Sequence, residues 1–592
     1  MSNFIFLYSF GTVVLGQLLA LFSTLNFQPL LTILTVLTLV FGGVILFQNP
    51  EEFIQKLEKI QVKESHQKSK YINGYVIILI LIVIAGILFR LVHINQIGIY
   101  FDEYRGLSNA LGTQDHGVAN FFLDGKWSQN EPRFRYTTWF VGWLISIFGK
   151  SLLVARLPGI IMSSLTAIPL YFLMSRINRL AGLTAAVIWL MSPWAIVIGR
   201  FFREYAYFPF YYVLIFIILL KFAEYLIAII RMQKSRNNVK LISGTLAVIF
   251  PLIYAFVLGR NTTFKLVVVP YAIGILYFFH LFWMSRKKDQ PLLSKRGKFL
   301  VAVFFVLSAL SLVGIFTRQT LNILPHYDPS WIILALENGP RNWFSNTGPL
   351  SFFLMTGLGI LGSLALAIRK KTPSAFFVSL IFLAYIYVFT FHFNFNKLPR
   401  YTFPIHLWVI PIVAFGIQVL SFLLSGIKEV RKRITAYALL LLMLVLTFNP
   451  ANTYHAINMS QAGRDEISGE YLHKFDKAAK VYGSEIKDSP VMCWNCHPLF
   501  WFGLADLSLN QVKYFRSQSE GGAKDALNYM DKNKSGWLIL DAQRYKKNFE
   551  VAYLKKPWKN GLDTNPPAKN LKFEGRTFKY VDHINGFYLY KW

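Results

Sequence analysis

Two adjacent carboxylates, Asp102 and Glu103, stand in the stretch Gly98-Ile99-Tyr100-Phe101-Asp102-Glu103-Tyr104-Arg105. The stretch follows directly on a long apolar run, Tyr75 to Leu91. An acid where an apolar helix emerges into water is expensive to place without a use. Its elementary chemistry there is to take a proton from a hydroxyl. Three other stretches carry complementary groups: Asn130-Glu131-Pro132-Arg133, Gly199-Arg200-Phe201-Phe202-Arg203-Glu204-Tyr205, and Asn396-Lys397-Leu398-Pro399-Arg400-Tyr401. Fixed cations such as Lys397, Arg400, Arg200 and Arg203 stabilise charge that grows on a departing phosphate. A proton acceptor beside cations suits a hydroxyl nucleophile and a phosphate leaving group. Asp102 is the expected base.

Each of these residues also has a plainer reading. An Asp-Glu pair at a helix exit is often a solvated boundary. Glu204 beside Arg203 is equally readable as a structural ion pair. Lys and Arg at helix ends often snorkel to the interface. Glu131 either meets an acceptor or starts a helix ahead of Pro132. His392 and His406 have no metal-ligand spacing and read as packing residues.

The elements that position these groups are apolar runs. The chain is 54% hydrophobic and only 15% charged. Many of its runs reach the roughly 20 residues needed to span a hydrocarbon core. The expected fold is therefore an α-helical polytopic membrane protein with about thirteen spans, ending in an extracytoplasmic α/β domain. The net charge of +31 does not indicate nucleic acid, because the basic residues cluster between the apolar runs. Such clusters face the anionic cytoplasmic leaflet.

Phe4–Phe22 and Pro29–Phe47 read as a two-span hairpin, its first run a retained helix and not a signal peptide. The charged segment after it, Glu51 to Lys70, reads as a cytoplasmic surface helix. Gly74–His93 then runs outward and delivers Asp102 to the outer face. Tyr136–Phe148 is short for a span and reads as interfacial, with Trp139 and Trp143 at headgroup depth. A true span there would invert every later element. With it interfacial, Leu152–Met174 runs in to Arg176 and Arg179, and Leu180–Gly199 runs out. Tyr207–Ile230 runs in to Arg231, Lys234 and Arg236. Leu241–Leu258, Leu266–Met284, Phe299–Phe316, Gly348–Ile368, Ser374–Phe391, Phe403–Leu424 and Ile434–Phe448 alternate after it. Every dense basic cluster then lies inside.

The domains expected are an N-terminal hairpin (1–50), a cytoplasmic charged segment (51–72), a transmembrane catalytic domain (73–448) and an extracytoplasmic α/β domain (449–592). In the last, strands are expected at Pro490–Trp494, Gln511–Phe515, Trp537–Asp541 and Gly586–Tyr590. Helices are expected at Asp465–Lys480 and Gly522–Lys532. The two cysteines, in Cys493-Trp494-Asn495-Cys496-His497, match the pattern for covalent haem. One short match with no haem-binding domain around it reads more simply as a local disulfide or free thiols.

The ordered motifs resemble the GT-C superfamily of membrane glycosyltransferases, nearest the protein O-mannosyltransferase and lipid A aminoarabinose transferase branch. The resemblance rests on Phe101-Asp102-Glu103-Tyr104, on Ile147-Phe148-Gly149-Lys150 through Ala155-Arg156-Leu157-Pro158, on Ser192-Pro193 leading to Gly199–Tyr205, and on Lys397-Leu398-Pro399-Arg400-Tyr401. It implies an inverting transferase that moves a sugar from a polyprenyl-phosphate donor to a hydroxyl acceptor, at the outer face of the cell (inner) membrane. Asp102 would be the base, and Glu103 would orient Asp102 or the acceptor. Lys397, Arg400 and Tyr401 would hold the lipid phosphate, with Arg200, Arg203, Glu131 and Glu204 further substrate contacts. No spacing demands a cofactor, and the resemblance leaves room for a divalent metal between the acidic loops. The expected partners are the lipid-linked donor, the acceptor and the bilayer itself, and no nucleic acid. Competing readings are a transporter or flippase of lipid-linked sugars, and a haem-bearing redox protein.

Overall fold

The structure is a computed structural model. It describes residues 2–20, 28–53, 55, 71–97, 99, 103, 106–107, 109–112, 121–123, 126–128, 135–230, 277–278, 349–368, 403–427, 429–458, 464–465, 470–471, 480–482, 486, 489–494, 512–515, 528–541, 570–573, 576–584 and 587–592.

Apolar runs become helices because a helix satisfies every backbone polar group within itself, the condition for crossing hydrocarbon. Helices α1 (Ser2–Ala20) and α2 (Gln28–Gln48) form the N-terminal hairpin, and α3 (Tyr71–Leu91) follows. A short ladder of β1 (Phe121–Leu123) and β2 (Lys126–Ser128) precedes α4 (Arg135–Phe148). The central helices are α5 (Leu152–Leu165), α6 (Ala167–Met174), α7 (Arg179–Met191), α8 (Pro193–Gly199) and α9 (Glu204–Ile230). Helices α10 (Pro349–Ile368), α11 (Phe403–Ser425), α12 (Val430–Phe448) and α13 (Pro450–Ile457) complete those described.

Among the described residues, Pro29–Gln48, Gly74–Leu91, Leu152–Met174 and Val430–Ile457 are long and apolar enough to cross a membrane. The pair α7 and α8, bent by 62°, makes a fifth if counted as one span. Leu30, Ile33, Val36 and Val40 of α2 and Ile77, Ile80, Leu81, Ile84 and Leu88 of α3 are exposed. In water such faces would aggregate; against lipid they cost nothing, and they mark an integral membrane protein. The runs Leu241–Leu258, Phe299–Phe316 and Ser374–Phe391, and all but two residues of Leu266–Met284, lie outside the described residues. So does most of the charged segment 51–72.

Helices α10 and α11 cross backbone to backbone. A Cβ on Gly416 would sit 1.8 Å from the Met355 carbonyl oxygen, and one on Gly359 2.4 Å from that of Ile412. Small residues permit such approach where no water drives association. The hairpin docks on this pair: Gly42 faces Leu358, Phe6 and Leu423, and Ser351 donates to Gln17.

Helix α4 has 14 residues, about 21 Å at 1.5 Å each, against a core of about 30 Å. Val141 and Ile145 are buried, while Trp139, Phe140, Trp143, Ile147 and Phe148 are exposed. Gly149, at φ 83, ends the helix in the left-handed conformation that glycine adopts freely. Ser151 then caps α5 by accepting from the Val154 N–H. The side chain of Arg156, in the second turn of α5, bonds the carbonyls of Ile94 and Ile97 just beyond α3. The chain therefore leaves α3 and enters α5 at the same end of the bundle. A lone crossing by α4 would separate those ends, so it is not a single span.

The last part of the chain holds a six-stranded mixed sheet in the order β6-β5-β7-β10-β9-β8. Strands β5 (Val491–Trp494), β6 (Val512–Phe515) and β7 (Trp537–Asp541) are parallel, and β8 (Asn570–Phe573), β9 (Arg576–Ile584) and β10 (Phe587–Lys591) pair antiparallel. Met492, Leu538, Leu540, Leu571, Phe578, Tyr588 and Tyr590 fill one face, covered by Met530. All four expected strands are present. Two others were not legible, because Lys572, Lys579, Asp582 and His583 interrupt their apolar pattern. The helix expected over Asp465–Lys480 is corrected at its start: β3 (Arg464–Asp465) and β4 (Glu470–Tyr471) pair there instead. The antiparallel pairing of Arg464–Asp465 with Glu470–Tyr471 uses the backbone groups that a helix start there would need.

Candidate active site

A helix ending in the protein interior leaves its last carbonyls without partners. At the end of α3 the chain turns through His93, at φ 55, and exposes the carbonyls of Val92, Ile94 and Ile97. Three arginines bind at this end of the bundle. Arg156 Nη1 donates to Ile94 O and Ile97 O, each at 3.0 Å. Arg200 Nη2 donates to Val92 O, and its Nη1 donates to Ala456 O (2.8 Å) and Ile457 O (3.0 Å) at the end of α13. Arg90, in the last turn of α3, donates to Gly86 O, Ala195 O and Ser163 Oγ. All three are fully buried. A buried cation is tolerable only when its donors are satisfied, and backbone carbonyls do most of that here.

Glu103 is the carboxylate among them. Its Oε1 accepts from Arg156 Nε at 2.8 Å and its Oε2 from Arg156 Nη2 at 2.7 Å, a two-pronged ion pair with both side chains at 0% exposure. The Phe202 N–H adds a third bond to Oε1, at 2.8 Å. The Arg156 guanidinium also lies 5.6 Å from the centre of the Phe201 ring. Fork-to-fork geometry of this kind fixes direction as well as distance. It pins Glu103 onto α5, and the Phe202 bond holds it to the loop between α8 and α9. Gly106 fits beneath the Phe202 ring, where a Cβ would come within 3.1 Å.

The acidic stretch and the Arg200–Tyr205 stretch therefore meet. Asp102 lies outside the described residues, one peptide bond from Glu103. Glu131, Lys397, Arg400 and Tyr401 also lie outside them. Arg203 is buried, with its guanidinium 5.6 Å from the Tyr205 ring centre. Glu204 begins α9. Burial, with Arg156 and Arg90 adding their charge, pulls the Arg200 guanidinium down to about 9. It remains a cation at neutral pH.

The bent pair α7 and α8 makes room for this cluster. Pro193 lacks the N–H that would continue α7, and Ser192 restarts the helix by accepting from the Ala195 N–H at 3.3 Å. The Met191 carbonyl accepts from Thr453 Oγ1 at 2.7 Å, which seats α13 against the bend. Ile94, Ile97, Ile160, Ile196, Val197, Phe201 and Ala456 form the apolar floor.

The opposite end of the bundle carries a separate polar group. Arg176 pairs with Glu224, which also accepts from Tyr277 and lies near Lys221. Arg179 lies 5.4 Å from the Tyr75 ring centre, and Asn178 donates to Gln418. Arg176 and Arg179 thus lie at the other end from Glu103. Alternating helices require that.

Among the described residues no three His, Cys, Asp or Glu side chains converge as a metal site. Both oxygens of Glu103 already face Arg156, so this carboxylate does not fit a metal ligand. Cys493 lies in β5, while Cys496 and His497 fall outside the described residues. Sequence reasoning quoted Arg156 within a motif but gave it no role, and it missed Arg90 and Thr453. The signal was present for the arginines: a single cation inside an apolar run points to a specific partner.

No family model matches the chain, and no curated protein matches it by sequence. Among solved structures, the apo oligosaccharyltransferase of Archaeoglobus fulgidus is similar at a TM-score of 0.49 and 11% identity, over 82% of this chain and 71% of that one. Apo ArnT from Cupriavidus metallidurans is similar at 0.46 and 13% identity, over 88% of this chain and 98% of that one. The same protein bound to undecaprenyl phosphate gives 0.43 and 12% identity over the same shares. At such scores these likenesses assign this chain neither a substrate nor residue roles.

Proposed function

We propose that this chain is an inverting membrane glycosyltransferase of the GT-C kind, moving a sugar from a polyprenyl-phosphate donor to a hydroxyl acceptor. One observation carries the reading. Glu103, the chain neighbour of Asp102, is buried and takes two hydrogen bonds from Arg156 and one from the Phe202 N–H, in the loop that carries Arg200 and Arg203. A base gains from a rigid mount, because proton transfer requires a set distance.

In the reaction, Asp102 takes the proton of the acceptor hydroxyl. The hydroxyl oxygen attacks the anomeric carbon opposite the phosphate, and the bond from that carbon to the phosphate oxygen breaks. The electron pair leaves with the lipid phosphate, whose charge Lys397, Arg400 and Arg203 offset, with Tyr401 hydrogen-bonding it. A phosphate leaves readily, so no general acid is required. Glu131 and Glu204 contact the acceptor side. Arg200, first read as a phosphate ligand, is better assigned to bracing, since both its Nη atoms are bound to carbonyls.

The positive-inside rule supports placing the Arg176 and Arg179 end in the cytoplasm and the Glu103 end outside, in the cell (inner) membrane. Helix α4 then lies in the outer interface with its tryptophans at headgroup depth. The end of α13 beside Arg200 supports an extracytoplasmic domain after residue 449. The reading keeps the division into hairpin (1–50), cytoplasmic segment (51–72), catalytic domain (73–448) and outer domain (449–592). A transporter would need ionisable groups at mid-bundle, whereas the ion pairs described among the helices sit toward the two ends.

The test is mass spectrometry of envelope glycolipids, glycoproteins and polymers from cells with and without the gene. One class of molecule should lose a single sugar increment, which identifies donor and acceptor together. Identical profiles would remove the proposal.

A further inference from the structure

Tyr207 stands in the first turn of α9, with its ring against α5. A Cβ on Gly159 would meet Tyr207 Cε2 at 3.5 Å and Ala206 Cβ at 3.1 Å. Gly159 follows Arg156 by about one turn of the same helix, and Arg156 grips Glu103. Glu103 is itself an ionisable neighbour of the Tyr207 hydroxyl, as is Tyr211 on the next turn of α9. That hydroxyl is shut off from solvent and makes no hydrogen bond.

A buried hydroxyl without a partner is costly, and phenylalanine would fill the same space without the cost. Glu103 is occupied by Arg156 and the Phe202 N–H, and the carbonyls of Ile94 and Ile97 are taken by Arg156. A ligand oxygen would supply the missing partner. A neutral phenol donates to an oxygen acceptor, which a phosphate or a sugar supplies.

We propose that the Tyr207 hydroxyl is a ligand-binding group of this site, donating a hydrogen bond to an oxygen of the polyprenyl-phosphate-linked sugar. The identity of that ligand rests on the transferase reading above. The unpaired state of the hydroxyl does not.

The experiment compares purified wild type with Tyr207→Phe in three readouts. The unfolding midpoint without ligand should be unchanged or higher in the variant, since an unpaired group is removed. With sugar-loaded donor, kcat/KM should fall about 10- to 100-fold, the usual loss for one ligand hydrogen bond. With sugar-free polyprenyl phosphate, a smaller ligand-induced shift of the midpoint places the contact on the phosphate. An undiminished shift together with the kinetic loss places it on the sugar. If the variant matches wild type within about twofold in kcat/KM and in the phosphate-induced shift, the proposal is overturned and the hydroxyl is only an unpaired group of the fold. If wild type transfers no sugar, the function reading fails instead, and the midpoint shifts with sugar-loaded and with sugar-free donor decide Tyr207: equal shifts in variant and wild type for both overturn the proposal.

Discussion

Protein carrying Asp102→Asn inserts, folds and unfolds at the wild-type midpoint, but transfers sugar at least about a thousandfold more slowly. The substitution changes shape by almost nothing. An amide accepts a hydrogen bond but does not take a proton near neutral pH, so the acceptor hydroxyl remains a poor nucleophile. The fold is spared because the neighbouring residue is the anchor: Glu103 makes the bonds to Arg156 and Phe202. The measurement is kcat with purified protein beside a thermal melt. A variant that keeps more than about a tenth of wild-type kcat assigns the proton to another group.

The second large effect is on stability. Arg156→Leu leaves the buried Glu103 carboxylate without its two-pronged cation partner, and frees the carbonyls of Ile94 and Ile97. Removing one member of a buried ion pair costs about 3–5 kcal/mol. Glu103→Leu costs a similar amount by stranding the guanidinium. The double variant, Glu103→Leu with Arg156→Leu, should recover about 2–3 kcal/mol of the summed loss, because neither charge is left unpaired. It should nevertheless remain inactive, since the carbonyls beyond α3 are no longer held and Asp102 loses its mount. Chemical denaturation of the three variants measures the coupling. Strictly additive losses would mean that the pair does not act as a unit.

The sequence made the bundle legible where hydrophobicity alone decides the outcome. Helices α1, α2, α3, α9, α10, α11 and α12 sit where unbroken apolar runs put them, to within a few residues. So do the strands at Val491, Val512, Trp537 and Phe587. Breaks were harder to read. The run Leu180–Gly199 looked like one span, yet Ser192-Pro193 bends it by 62°. Pairing across the chain was not legible at all: 53 positions separate Glu103 from Arg156, and 256 separate Arg200 from Ala456. No periodicity encodes such contacts. Their trace was the presence of Arg90 and Arg156 inside apolar stretches, an expense that only a buried partner or a ring of carbonyls offsets. Arg200 shows what a motif leaves unsaid: both its Nη groups are directed at carbonyls at the ends of two helices.

The acidic stretch and the Gly199–Tyr205 stretch could be expected to meet because each follows a helix running toward the same end. The contact that joins them, from the Phe202 N–H to Glu103, is a backbone donor, and composition says nothing of it. The bracing by α13 escaped notice for a related reason. Thr453 and the carbonyls of Ala456 and Ile457 are ordinary groups whose role comes only from docking on the bend between α7 and α8.

The central claim is tested most directly by reconstituting purified protein in vesicles with a polyprenyl-phosphate-linked sugar and the hydroxyl acceptor, then counting free polyprenyl phosphate against glycosylated product. One lipid phosphate released for each sugar transferred, with the anomeric configuration inverted, is the predicted result. Donor that reaches the other leaflet with its glycosidic bond intact, and no product formed, would contradict it.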